Sequence, residues 1–212
     1  MSSRAGIAEV VEVSLLEVQL EHGQDPFPAN SPWVAAGKPP AFAIKPCELD
    51  CHLLLTELVE KHSIDANFQD AASGKILLAV ASANGSGKCV TVLLSHGADT
   101  NKQLRIRDSE WSPLHLAAQY GHTAICRQLL DAGASLDTVI LPVTHFTPLH
   151  VAAVSGHVDV ILLLMQRGAN TRATNQDGCT PIFVACIDNQ LQSVKALLPC
   201  VILFARRDFA TV

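Results

Sequence analysis

Aromatic residues are scarce in this chain: seven phenylalanines, two tryptophans and one tyrosine make up 5% of its 212 residues. With 49% hydrophobic residues overall, a core has to be filled by Leu, Val, Ile and Ala, which suits helices packed closely together. A basic excess is lacking as well. Fifteen Lys and Arg against 20 Asp and Glu leave a formal net charge of −5, and the basic cluster that stands out is Lys102, Arg105 and Arg107. A phosphate backbone is held by many cations, so nucleic acid is not an expected partner.

Dense cysteine pairing is missing too. Seven cysteines, an odd number, are scattered from Cys47 to Cys200, a pattern of reducing compartments rather than of small secreted scaffolds. Cys47, Cys51 and His52 crowd together, but no second ligand pair follows at zinc spacing, so no metal is expected and the cysteines read as small buried hydrophobes. No window approaches the ~20 apolar residues that cross a bilayer, the nearest being the short run Val201 to Phe204. The first apolar run, residues 7–23, is interrupted by Glu9, Glu12, Glu17 and Glu21, unlike a secretory signal. The expectation is a soluble, intracellular chain, cytoplasmic, nuclear or both, with no membrane partner.

What is present begins with proline. Residues 24–46 hold Pro26, Pro28, Pro32, Pro39, Pro40 and Pro46, too many fixed φ angles and missing donors for a regular element. Residues 1–46 are therefore expected to be an N-terminal segment and Pro-rich linker, largely disordered, with 7–23 open to either a short helix ending at Gly23 or a strand.

Beyond it the sequence repeats. "SPLHLAAQYGH" (Ser112 to His122), "TPLHVAAVSGH" (Thr147 to His157) and "TPIFVACIDNQ" (Thr180 to Gln190) place Pro113, Pro148 and Pro181 at intervals of 35 and 33 residues. Gly-Ala pairs at Gly97, Gly133 and Gly168 follow at 36 and 35. Each unit reads as a turn, two helices and a closing glycine. Ser112, Thr147 or Thr180 caps a helix whose first position takes proline, where the missing N–H is not needed. Leu114, Ala117 and Ala118 recur at i, i+3 and i+4, and Gly121 and Gly156 end the first helix in the left-handed region. A second apolar stripe follows in each unit, and no unit can bury its hydrophobic face alone, so the units must stack.

These motifs resemble the ankyrin repeat, with nearly the whole signature Thr-Pro-Leu-His-x-Ala-Ala-x-x-Gly-His present twice, at a period close to the family's ~33 residues. The resemblance covers roughly Cys51 to Leu198. It implies an all-α ankyrin-repeat solenoid of stacked helix-turn-helix units with β-turn fingers, and a concave groove for proteins. The expected repeat domain is residues 47–198, in about four to five units of which the first and last are degenerate. Units begin near Ile76, Ser112, Thr147 and Thr180, after a degenerate one ending in His62 to Asp70.

The repeat frame also resolves the stretch "SANGSGKCV" (Ser82 to Val90), which puts a lysine after a glycine-rich run. A phosphate-binding loop needs Gly where Ser82 stands and Ser or Thr where Cys89 stands. Counted back from Gly97, Gly85 instead falls at the inter-helix turn. The paired histidines His115/His122 and His150/His157 have no metal-ligand spacing. In the ankyrin family the histidine of the Thr-Pro-Leu-His turn hydrogen-bonds the finger backbone, a role the resemblance implies for His115 and His150. No nucleophile elbow or Cys/His signature appears, so no enzyme, cofactor or small-molecule substrate is expected.

Departures from the pattern carry further expectations. The unit at Ile76 replaces Thr-Pro-x-His by Ile76, Leu77 and Ala79, losing its cap and finger bonds, and should be less rigid. The last unit has Phe183 for the histidine, Cys186 for the second alanine and Asn189 for the turn glycine. The fingers at Lys102 to Asp108 and Val139 to Val143 are long, either as part of a binding side or as tolerated surface drift. Pro199 is expected to block helix continuation and set off residues 199–212 as an atypical apolar tail, belonging to a longer array or folding back as a cap.

The resemblance places binding on the residues just before each cap, Trp111, Phe146 and Cys179 near finger tips, and on the groove side of the first helices. Those are Leu116, Gln119 and Tyr120, then Val151, Val154 and Ser155, then Val184, Ile187 and Asp188. Trp111 and Phe146 are alternatively packed on the neighbouring long finger. The expected function is a protein-binding scaffold, or a regulatory adaptor such as the substrate-recruiting component of a ubiquitin ligase. The ligase-binding box that such adaptors carry is at best loosely resembled by Ser193 to Cys200.

Overall fold

Pro113, Pro148 and Pro181 each occupy the first position of a helix, directly after an extended residue that caps it. The computed structural model in which they do so describes residues 44–61, 63–70 and 73–208, the last nine as backbone. The readings of residues 7–23 and 24–43 lie outside the described residues, as does the tail beyond 208.

The chain divides into two units at Asp99/Thr100. In the first, α1 (Ile44–Leu49), α2 (His52–Glu60), α3 (Leu77–Asn84) and α4 (Gly87–Ser95) make two helix pairs, α1 packing on α3 and α2 on α4. The second holds a hairpin of β1 (Leu104–Ile106) and β2 (Ser109–Trp111), then α5 (Pro113–Gln119), α6 (Thr123–Asp131), α7 (Pro148–Ser155), α8 (Val158–Gln166), α9 (Pro181–Ile187) and α10 (Leu191–Asp208). First helices pack on first helices, α5 on α7 on α9, and second on second, α6 on α8 on α10. The architecture is all-α, helix pairs of the ankyrin type stacked within each unit, with a two-stranded antiparallel finger in the register Leu104↔Trp111.

The first helices are covered almost all round: every residue of α5 from Pro113 to Ala118, and of α7 from Pro148 to Ala153, is buried. The Ala-Ala pairs allow this, since larger side chains would hold neighbouring helices apart. Leu54, Leu78, Leu93, Leu129, Leu149, Ile161 and Leu164 fill the layers between helices. Gly121 turns the chain at φ 75°, and a Cβ built there would stand 2.6 Å from the His157 ring of the following pair. Asn189, which replaces glycine at this turn in the last pair, takes the left-handed conformation at φ 56°.

Three expectations need correction. Residues 44–46, read as linker, belong to α1, with Ile44 and Pro46 buried. Pro46 sits within the first turn, where its N–H would have no partner anyway. Thr180 adopts the capping conformation without a side-chain bond, and Phe183 at the third position also lacks the ring nitrogen that His115 and His150 turn back to the cap's N–H. Finally, α10 runs through Pro199 to Asp208 instead of stopping before it. Pro199 and Lys195 are exposed, so the carbonyl of Lys195, deprived of its N–H partner, lies where water solvates it.

Ser193 is fully buried at the position held by Ile125 and Val160 in the preceding pairs, and its hydroxyl has no hydrogen-bond partner. Desolvating a lone hydroxyl costs about 1–3 kcal/mol. Ser193→Val is therefore expected to stabilise the chain by about 1 kcal/mol, read as a higher urea midpoint at unchanged slope; a lower midpoint would show the site too tight for the methyls.

Candidate protein-interaction surface

The repeated histidines are clamps between helix pairs. The side chain of Ser112 accepts from the backbone N–H of His115, and the ring Nδ1 of His115 faces the N–H of Ser112 at 3.3 Å and its hydroxyl at 2.8 Å. On the far side of the ring, Nε2 meets the carbonyl of Phe146 in the next finger at 3.0 Å. A carbonyl only accepts, so Nε2 carries the proton and Nδ1 is free to accept. His150 repeats the arrangement with Thr147 and with the carbonyl of Cys179, again at 3.0 Å.

Both rings are fully buried. Burial, opposed only partly by backbone hydrogen bonds, lowers the pKa of His115 to about 4 and moves that of His150 the same way. With both nitrogens engaged and the ring neutral, neither histidine faces solvent as a base. The thiols of Cys89 and Cys126 are likewise held protonated. Cys89 is pushed up by its hydrogen bond with Cys47 and by burial, Cys126 by burial to about 12. Among the described residues no group of three His, Cys, Asp or Glu is arranged to hold a metal ion, and no helix is long and apolar enough to cross a membrane.

The finger aromatics are not where the sequence put them. The hairpin tip is Arg107–Asp108; Trp111 lies at the hairpin base opposite Leu104, and Phe146 and Cys179 occupy the same entry to α7 and α9. Trp111 and Phe146 are half-buried against the histidines of their own turns, with ring centroids 6.2 and 5.4 Å apart. They cannot lie at the tip, since the residue before a helix cap must follow the chain inward. Leu116 and Val151, assigned to the groove, are buried where α5, α7 and α9 pack together, as is Val184. What remains on the solvent side is Gln119, Val154 and Ser155, half-buried, with Tyr120, Ile187 and Asp188 exposed, Tyr120 at 54%.

Two features had gone unread. The long loop after α6 is tied to the hairpin: the N–H of Glu110 donates to the carbonyl of Leu141 at 2.8 Å, and Ile140 is buried beneath. Exposed Arg105, Ile106 and Arg107 on one finger and Leu141 and Val143 on the next therefore share a surface. The other is a series of side-chain amides and carboxylates joining successive turns. Asn67 accepts from the N–H of Asp99 and donates to the carbonyl of Gly97; Asn101 does the same with Ser135 and Gly133; Asp137 accepts from the N–H of Asn170. Its signal was legible as Asn or Asp at 67, 101 and 137, at the repeat spacing.

A family model described as ankyrin repeats, in three copies, matches residues 42–140 and 138–204, well over half of the chain. Ankyrin repeat and SOCS box protein 6 of Homo sapiens is 33% identical over 110 residues, which are 51% of this chain and 25% of that protein. Protein phosphatase 1 regulatory subunit 12A of Mus musculus is 36% identical over 75 residues, 35% of this chain and 7% of that protein. Protein phosphatase 1 regulatory subunit 27 of Homo sapiens is 35% identical over 65 residues, 31% of this chain and 40% of that protein. The matched stretches thus span a quarter of the first of these relatives and less than half of the others.

Proposed function

The chain belongs to the ankyrin repeat family, and from that premise we propose that it is a non-enzymatic scaffold binding a partner protein through its first helices and fingers. One observation carries this reading. Residues that recur between the α5–α6 and α7–α8 pairs, the Pro, His and Ala-Ala positions, are buried, whereas the residues on the solvent side of the first helices differ from pair to pair. Gln119, Val154 and Ile187 occupy one such position, Tyr120, Ser155 and Asp188 the next. Specificity written in changing surface residues over a constant core is what a recognition scaffold requires. The chemistry of His115, His150, Cys89 and Cys126 is spent internally, so in this reading these groups serve the stack and not turnover.

Tyr120 combines a large apolar face with a hydroxyl and is the strongest single anchor on offer. The double variant Tyr120→Glu with Ser155→Arg is expected to keep the melting temperature and to lower recovery of bound protein from a cell lysate at least tenfold. Recovery of the same proteins in the same yield would remove the groove from the account.

A regulatory adaptor is the second reading, favoured by the relatives, one named for a SOCS box and two as phosphatase regulatory subunits. It predicts that ubiquitin-ligase or phosphatase subunits co-purify with the chain; their absence among the retained proteins leaves the plain scaffold. Cytoplasm and nucleus both fit a chain whose cysteines are free where described.

A further inference from the structure

The three helix pairs of the second unit set equivalent residues 33 to 35 apart, so each position of the last pair has two counterparts for comparison. His115 and His150 are fully buried, their rings ending on the next finger; Phe183 in the same place is 55% exposed. Ala118 and Ala153 are fully buried where Cys186 is exposed, and Cys126 and Ile161 where Val194 is half-buried. Ile187 and Leu191, 64% and 60% exposed, replace half-buried counterparts, and Leu198 follows them. Among the described residues, the face that earlier pairs present to their successor is exposed on α9 and on α10 as far as Leu198.

The residues that mark this face are apolar. Phe183, Cys186 and Ile187 stand at i, i+3 and i+4 on α9, and Leu191 and Leu198 seven residues apart on the adjoining α10. The loss of the histidine matters here, because Phe183 has no ring nitrogen that needs a finger carbonyl. An identical apolar face can therefore cover this one without burying an unpaired polar group.

We propose that α9 and α10 form a self-association surface, on which a second copy of this chain docks about a two-fold axis. The area is adequate. At roughly 150–200 Å² for a fully exposed large apolar side chain, Phe183, Ile187, Leu191 and Leu198 offer on the order of 400 Å², to which Cys186 and Val194 add. A standard interface of about 800 Å² per partner, a little under two thirds apolar, asks for about 500 Å². The inference shares Ile187 with the groove reading but otherwise uses the exposed residues of α9 and α10, and it needs no outside partner.

Sedimentation of the full chain from low to high micromolar concentration tests it. The wild type is expected to show a monomer–dimer equilibrium, and Phe183→Glu with Leu191→Glu to raise the dissociation constant at least tenfold. Both side chains are largely exposed, so the variant's thermal melt should match the wild type's. Cys186 provides a second readout: a short bis-maleimide should join two copies of the wild type and not of Cys186→Ser. A chain that stays monomeric and uncrosslinked at the highest concentration overturns the proposal. Hydrogen exchange then assigns the face. Protection of α9 and α10 that disappears when residues 1–43 are removed gives the cover to this chain's own N-terminal segment, and absence of protection leaves the face open; either result contradicts a second copy.

Discussion

Acidification from pH 7 to about pH 4 is expected to destabilise the unit beginning at Thr100 by about 3 kcal/mol through His115 alone. Its folded pKa, about 4, lies below the ordinary 6.5 because the ring is buried. As pH falls, the unfolded chain therefore takes up the proton first. The stabilisation is complete above the unfolded value of 6.5 and is lost progressively as pH falls toward 4. His150, shifted in the same direction by burial, steepens the loss. The geometry gives the same sign, since a proton on Nδ1 would confront the N–H of Ser112 or Thr147. Carboxylates act in a different window. At Glu48, burial alone would raise the pKa, but hydrogen bonds from Lys75 and Lys45 outweigh it, so its folded value lies below 4.5. The stability it contributes to the first unit is present above 4.5 and lost below it. Urea midpoints collected between pH 7 and pH 4.5 should accordingly fall in the wild type and much less in a His115→Gln, His150→Gln variant. A flat wild-type profile over that interval would show the rings to be solvated.

Gly121→Val should cost about 3–4 kcal/mol, and Gly133→Val markedly less, though both replace glycine at positive φ, 75° and 90°. The shared part is backbone strain, about 1–2 kcal/mol for an L residue in the left-handed region, and more for a β-branched one. The difference is proximity. At Gly133 nothing lies within 4 Å of an added Cβ, whereas at Gly121 the His157 ring lies at 2.6 Å. That ring is not free to swing, because its Nε2 meets the carbonyl of Gln119 at 2.9 Å. A side chain at 121 therefore breaks the contact or pushes the α7–α8 pair away. Thermal or chemical denaturation of the two variants side by side measures the gap; equal losses would mean that strain alone acts and that the pairs do not depend on close approach at this turn.

Much of this architecture was legible because repetition supplies its own control. One Thr-Pro-Leu-His motif could be chance, but Pro113, Pro148 and Pro181 at near-equal spacing constrain each other, and the helix starts fall on the caps read from them. Gly85 was placed correctly against the competing phosphate-loop pattern by the same count. What failed were readings of single residues outside the period. Pro46 and Pro199 were taken as breakers, yet one sits in a first turn and the other on an exposed flank, where a missing N–H costs little. Trp111 and Phe146 were left between an exposed finger tip and packing on the neighbouring long finger, because the sequence shows which residue precedes a cap and not what it packs on. Leu116 and Val151 were assigned to the groove by analogy, while their burial follows from how closely the Ala-Ala helices approach. The Phe183 face was legible only as a missing histidine; its exposure depends on what packs beyond it.

The histidine clamps can be observed ring by ring. Long-range proton–nitrogen NMR spectra of the imidazoles report which nitrogen carries the proton and where each ring titrates. His115 and His150 should both appear as Nε2–H tautomers, titrating below the ordinary 6.5, His115 near 4. Rings that carry the proton on Nδ1, or that titrate at 6.5 like solvated imidazoles, would contradict a stack of helix pairs joined through buried, neutral histidines.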